Sequence, residues 1–314
     1  MTLHLEKILF HELINLTAAE LKINPLFIEK DYWITVVLKR LSKSKFESES
    51  VFKGGTSLSK GYELIERFSE DVDIALINNN AKTGNEIKSI IRSIEKEMTK
   101  DLSELQVAGV TSKGSRFRKS VFEYKSTNAK NQSNKLIVEV NSFANPFPFK
   151  RLVIKSLIFD FLTQSKNEKY IEQFNLEPFE VNVLNKEQTL LEKTVSLIRV
   201  SFESNPVVSI AKKIRHFYDL YFLMNDAECV EFVKSNKFKK EFEKILKHDK
   251  EMFDEPIGWK NKSLAESPLI NDFDNIWKQV KETYKTELSV LAYTPIPDEK
   301  KVAGRFMELM KRLQ

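Results

Sequence analysis

Residues 51–76, VFKGGTSLSKGYELIERFSEDVDIAL, hold the side chains best suited to chemistry, and their centre is the pair Asp71 and Asp73 inside an apolar run. Residues two apart on a strand face the same side, so the two aspartates share a face while Val72, Ile74 and Leu76 point to the other. Their side chains stand about 7 Å apart along the strand. Two uncompensated carboxylates on a half-buried strand cost several kcal/mol or shift their pKa upward. A hard divalent cation, Mg2+ or Mn2+, offsets that cost and commonly shares its site with a substrate phosphate. Glu139, in KLIVEVN, is a third acid in a strand-like apolar run. A strand neighbouring that of Asp71 and Asp73 would make the three a carboxylate cluster for phosphoryl chemistry. The alternative places each acid on an exposed strand face or beside a Lys or Arg.

Gly54 and Gly55 precede Thr56 and Ser57. The glycines permit close backbone approach, and a helix beginning at Thr56 or Ser57 offers free N–H groups and a favourable dipole to a phosphate. Lys60, one turn further on, either assists that seat or is a surface lysine. Lys193 lies at the margin of an apolar helix face formed by Leu190, Leu191, Thr194, Leu197 and Ile198; its amine either snorkels to solvent or enters a cleft. Asp219 shares a polar stripe with Lys212 and Arg215 on an otherwise apolar helix, and that stripe is either solvated or cleft-lining. His216 reads as a capping or core residue rather than a base. A Walker A loop, an H-E-x-x-H motif and a G-x-S-x-G elbow are all absent.

The elements that must position these residues follow from periodicity. Residues 3–42 predict two helices, the second opening at Asn24-Pro25. VFKGG and DVDIALI read as strands around a helical TSLSKGYELIERF, ahead of an NNNAKTGN loop. A helix over 86–100 precedes the strand candidates LQVAGV, FRKSVFEYKS and KLIVEVNSF. NPFPFKR reads as a connection, an amphipathic segment covers 153–164, FEVNVL is another strand, and nearly everything from Lys186 onward is helical. The expectation is an α/β half over 1–184 and a helical half over 185–314. Between Lys113 and Lys135 seven basic residues, Lys113, Arg116, Arg118, Lys119, Lys125, Lys130 and Lys135, face the single acid Glu123. That run is either a solvated hairpin or a surface for phosphates. A 41% apolar fraction with 23 Phe provides for a sizeable core, and the single cysteine, Cys229, excludes an internal disulfide. The N-terminal stretch has no signal-peptide pattern and no run is long enough to span a bilayer, so cytoplasmic residence is the default expectation.

EKDYW at 29–33, FKGGTSLSKGYELIERFSEDVDIAL at 52–76, LLEKTVSLI at 190–198 and RHFYDLYFLM at 215–224 occur together in one order. In this the chain resembles the AbiEii/AbiGii toxin family, nucleotidyltransferase-like proteins of type IV toxin–antitoxin and phage-defence (abortive infection) systems. The resemblance implies an α+β fold with a polymerase-β-like nucleotidyltransferase core, a mixed sheet and a helical C-terminal domain. It implies that Gly54, Gly55, Thr56 and Ser57 hold nucleotide phosphates and that Asp71 and Asp73 bind the catalytic metals. Lys193 matches a nucleotide-contacting lysine, and Asp219 an acid that orients the nucleotide or acceptor. Glu139 is nominated as third metal ligand from its position alone. The implied activity is transfer of NMP from an NTP to RNA, most specifically the tRNA 3′ end, blocking translation and growth, with an antitoxin encoded by an adjacent gene as partner. Transfer to a protein or small-molecule hydroxyl, or nucleotide sensing without turnover, are the alternatives.

Overall fold

Strand-period apolar residues of the first half build one mixed sheet. The computed structural model describes residues 1–69, 71–77, 83–127 and 134–314. The strands are β1 (Ser50–Lys53), β2 (Asp71–Leu76), β3 (Ser103–Leu105), β4 (Ser112–Lys113), β5 (Phe117–Glu123), β6 (Lys135–Asn141), β7 (Phe149–Ile154) and β8 (Phe179–Leu184). They lie in the order β3-β5-β6-β2-β1-β8-β7, with β4 pairing β5. β2 runs parallel to β6, and β1 to β8; the other pairs are antiparallel. The class is therefore α+β, as expected. Val72, Ile74, Leu136, Val138, Val140 and Phe52 are buried, and α4 (below) packs on the sheet at β5 and β6.

Two strand expectations are corrected. LQVAGV contributes only Leu105 to β3; Val110 and Thr111 then donate back to the Val107 carbonyl, and Gly109 takes φ +76°, so the segment turns. The stretch read as a proline-bearing connection and the start of an amphipathic segment instead contains β7. β7 is an edge strand with half of its residues exposed and only Ile154 buried, so it carries little apolar alternation.

The helices of this first compact unit, residues Met1–Glu63 and Phe68–Leu184, are α1 (Lys7–Leu21), α2 (Pro25–Ser42), α3 (Gly54–Lys60), α4 (Gly84–Met98), α5 (Leu157–Gln164) and α6 (Lys169–Gln173). Asn24 caps α2 by accepting from the Leu26 N–H at 2.9 Å, with Pro25 in the first turn. α4 opens on a Thr83–Glu86 capping box. The helical reading of 56–68 holds only to Lys60. Beyond it Gly61 and the left-handed Glu63 (φ +50°) end the helix.

α2 is buried on nearly every side, which gives EKDYW a structural meaning. Glu29 accepts from Ser126 Oγ and the Thr127 N–H, both at 2.7 Å. Asp31 takes the Lys60 ammonium at 2.6 Å on one oxygen and the Leu157 N–H, at the start of α5, at 2.8 Å on the other. Tyr32 hydrogen-bonds His4 and packs against Phe10, while Trp33 stacks on Tyr124. Buried charge is tolerated here because each carboxylate oxygen meets a donor.

The second compact unit comprises Leu64–Arg67 and Asn185–Gln314. Its helices are α7 (Lys186–Val200), α8 (Pro206–Ala211), α9 (Ile214–Leu223), α10 (Ala227–Lys234), α11 (Phe238–Met252), α12 (Pro268–Asn271), α13 (Phe273–Leu291) and α14 (Glu299–Lys311). Phe217, Phe273, Trp277 and Phe306 form an aromatic cluster joining α9, α13 and α14. The segment Leu64–Arg67, which no boundary in the sequence marks, pairs at Arg67 with Ala292, and the Glu66 carbonyl accepts from the Tyr293 N–H. Among the described residues no helix is long and apolar enough to cross a membrane.

Removing one member of a buried ion pair strands the other, typically at roughly 3–5 kcal/mol. Asp31→Ala is therefore expected to lower the unfolding free energy by about 3 kcal/mol in urea titrations, and adding Lys60→Met is expected to recover part of the loss.

Candidate active site

β1 ends at Lys53, and the chain enters α3 directly at Gly54, two to three residues before the helix start expected at Thr56 or Ser57. Gly54 adopts φ +82°, a region favourable to glycine, and a Cβ built there would lie 2.2 Å from Asp73 Oδ2. The glycine turn and the acidic strand are thus in direct contact. Any side chain at position 54 would occupy the space of the Asp73 carboxylate.

The hydroxyls behind this turn do not face outward. Thr56 is buried and donates to the Asp71 carbonyl; Ser57 is buried and donates to the Gly54 carbonyl at 2.9 Å. Their side-chain protons fasten α3 to β2 and close its first turn, so backbone N–H groups are what this turn offers a phosphate. Lys60 is likewise engaged within the fold. Its ammonium is spent on Asp31 and the Lys155 carbonyl, within the packing of α2, α3 and α5.

Asp71, Asp73 and Glu139 come to one face of the sheet. Asp73 stands opposite Glu139 on parallel β6, and Asp71 opposite Ile137. The same register continues outward: Lys53 pairs with Asp73 on one side, and Lys119 pairs with Glu139 on the other. Directly opposed residues share a face. A row Lys53–Asp73–Glu139–Lys119 therefore crosses four neighbouring strands, two acids flanked by two bases. The sequence reading missed both lysines as site residues; strand alternation places each on a face, but only the register names that face.

Burial, then the charges of Glu139 and Asp71, push the Asp73 carboxyl up to about 8, against the opposing pull of Lys53 and Lys119. Glu139 is raised as well, by burial first, although Lys119, Lys53 and a hydrogen bond from Asn141 work against the shift. The donor set suits a hard divalent cation: all oxygen, mutually repelling, and against a glycine turn that leaves room for it. Among the described residues no three acidic, His or Cys side chains are already gathered tightly enough to hold a metal ion. A cation would have to draw Asp71, Asp73 and Glu139 together.

In the second unit Lys193 and Asp219 meet. The Lys193 ammonium lies 2.7 Å from Asp219 Oδ2, and Arg67 grips the same carboxylate through Nε to Oδ1 and a terminal nitrogen to Oδ2, both at 2.7 Å. The side chains of Asp219, Arg67 and Lys193 are 0%, 3% and 8% exposed. Lys193 is thus buried against Asp219 rather than snorkelling to solvent, and Asp219 joins a buried triad while Lys212 of the same stripe is exposed. Burial opposes ionisation of Asp219, but Arg67 and Lys193 outweigh it and hold the carboxyl below its ordinary range. Desolvation and the charges of Lys193, Lys213, Arg67 and Arg215 push His216 well below its usual pKa, which keeps it neutral. Arg67 was missed because it was read as part of a helix over 56–68, whereas the helix stops at Lys60 and Arg67 lies in an irregular segment.

The basic run 113–135 does not form one surface. Period-two alternation sends Arg118 beneath α4, where it meets Glu95 at 2.5 Å, and Lys119 to the carboxylate face, 3.8 Å from Glu139. Lys113 pairs with Glu104 at 2.6 Å. Arg116, Lys125 and Lys135 are exposed, and Lys130 lies outside the described residues.

The family model described as "Nucleotidyl transferase AbiEii toxin, Type IV TA system" matches residues 36–300. No curated protein matches the chain. Among solved structures the chain is similar to MenT4, a nucleotidyltransferase toxin from Mycobacterium tuberculosis, at 13% identity and TM-score 0.49, covering 96% of this chain and 99% of that one.

An acid whose folded pKa is raised adds stability below its unfolded value near 4, and loses that contribution as pH climbs through its folded value, about 8 for Asp73. Metal-free protein in chelator is expected to melt at progressively lower temperature from pH 5 to pH 8.5. Asp73→Asn should make that slope shallower. For the triad, Asp219→Ala removes the carboxylate that two buried cations share, and a loss of about 3–5 kcal/mol in chemical denaturation is expected.

Proposed function

This chain belongs to the AbiEii family of nucleotidyl transferase toxins of type IV toxin–antitoxin systems and is a nucleotidyltransferase, and from that premise we propose that it moves an NMP unit from an NTP to RNA, at the tRNA 3′ end. The observation that carries the reading is the contact of Gly54 with Asp73, beside Glu139. It joins a backbone turn suited to phosphate with carboxylates suited to a cation.

Asp71, Asp73 and Glu139 would hold the divalent ion, Mg2+ or Mn2+. When bound, such an ion neutralises charge on the α-phosphate and lowers the pKa of an attacking hydroxyl. The first N–H groups of a helix have no intrahelical acceptor, so those of Gly54 and Gly55 are the donors for phosphate oxygens, with Thr56 and Ser57 completing the turn that presents them. Lys193, oriented by Asp219, is the nucleotide-contacting lysine of this reading, and Arg67 shares the task of holding Asp219. Asp219 thus acts as a positioning residue. In the transfer, the acceptor oxygen bonds to the α-phosphorus as the bond to the bridging oxygen breaks; pyrophosphate leaves and the hydroxyl proton is released. NTP and tRNA meet in the cytoplasm, where the transfer would arrest translation and growth until an antitoxin intervenes. A role in phage defence belongs to the same reading.

The test is incubation with Mg2+ or Mn2+, each labelled NTP in turn, and total tRNA or cell protein. Label is expected in tRNA, falling by at least about 100-fold in Asp71→Ala and Asp73→Ala. Label in protein instead would replace RNA as acceptor. Expression of the wild type is expected to stop growth while Asp73→Ala does not; equal toxicity would sever catalysis from toxicity.

A further inference from the structure

The charged row on the sheet ends in a residue for which the transfer chemistry above has no task. Lys119 stands opposite Glu139 in the β5–β6 register, and its ammonium lies 3.8 Å from Glu139 Oε2. The other oxygen, Oε1, accepts from Asn141 Nδ2 at 3.3 Å. Asn141 is itself oriented, since its Oδ1 accepts from the Ala144 N–H at 3.1 Å. Glu139 is therefore held on both sides: by a fixed amide on one oxygen and by a movable cation on the other. The lysine and glutamate side chains are 29% and 21% exposed, enough for the ammonium to swing away without unfolding anything.

We propose that Lys119 is a counter-ion exchanged for the divalent cation: it neutralises Glu139 in the metal-free site, yields Oε2 when the metal arrives, and then presents its freed ammonium to the triphosphate on the same sheet face. The inference rests on the reading of Asp71, Asp73 and Glu139 as metal ligands. The physical argument is charge balance. Two acids at opposed positions with a third on the same face repel one another in a half-buried setting, and a nearby ammonium lowers that repulsion. The same ammonium repels an incoming divalent ion, so it competes with metal for Glu139. Once a polyanion is bound its sign becomes favourable. Lys119 thus weakens metal binding alone and strengthens phosphate binding to the loaded site, an opposition of signs that a purely structural residue does not produce.

The experiment titrates Mn2+ alone, and then inorganic tripolyphosphate at saturating Mn2+, by calorimetry on the full chain. In Lys119→Met, Mn2+ is expected to bind about five- to tenfold more tightly and tripolyphosphate about tenfold more weakly, as removal of one screened charge at this range dictates. Lys119→Arg, which keeps the charge, should return both constants to near wild type. Unchanged or weaker Mn2+ binding in Lys119→Met overturns the proposal, as does Lys119→Arg behaving like Lys119→Met. Asp73→Asn distinguishes the two levels: Mn2+ binding that survives this change intact, or a wild type that binds no Mn2+, overturns the metal reading itself.

Discussion

Two carboxylates facing each other across adjacent strands, half-buried and with a third on the same face, form the least stable arrangement in this protein when nothing else is present. Asp73 and Glu139 are opposed in the β2–β6 register, and both are held above their ordinary pKa by burial. Much of the surrounding structure is intelligible as a response to that repulsion. The flanking positions are lysines, Lys53 and Lys119. The backbone that touches Asp73 is a glycine in the left-handed region, because no side chain fits there. Thr56 is turned inward to fasten the start of α3 to the start of β2. Clustered carboxylates of this kind are relieved by a bound cation.

Elsewhere the same physical problem is met in a different way. Glu29 and Asp31 on α2, and Asp219 on α9, are buried carboxylates whose oxygens are filled by protein donors. Their charges are closed within the fold, so they brace it. The contrast separates two uses of buried acid. Where the protein supplies a close donor for each oxygen, the residue braces its neighbours; at Asp73 and Glu139 the neighbouring acids offset part of what the flanking lysines supply. By that criterion Asp219 belongs with the brace residues, joined to Lys193 and Arg67.

Much of the architecture was legible locally. β2 and β6 follow from alternation, β1, β5 and β8 from short apolar runs, and α2 from its Asn24-Pro25 start. β7 was not legible, since an edge strand with exposed residues carries little period, and the helix over 56–68 was over-extended because Gly61 and Glu63 break it. Arg67 was misplaced for the same reason: it lies in the irregular segment that the over-extended helix had absorbed. The basic run 113–135 looked like one surface only because charge was counted along the chain. Alternation divides Arg118 from Lys119, and the register then hands each a different acid.

The amino-acid order by itself determined which residue types could do chemistry, that Asp71 and Asp73 share a strand face, and that a glycine turn precedes them. These are consequences of backbone geometry over a few residues, and no distant contact can alter them. Tertiary structure alone decided that Glu139 faces Asp73, that Lys53 and Lys119 complete the row, that Gly54 touches Asp73, and that Lys193, Asp219 and Arg67 close on one another. Each depends on strand order, register or helix packing between residues remote in the chain. Those are set by which apolar faces are buried together, and that is a property of the whole core, which no short stretch contains.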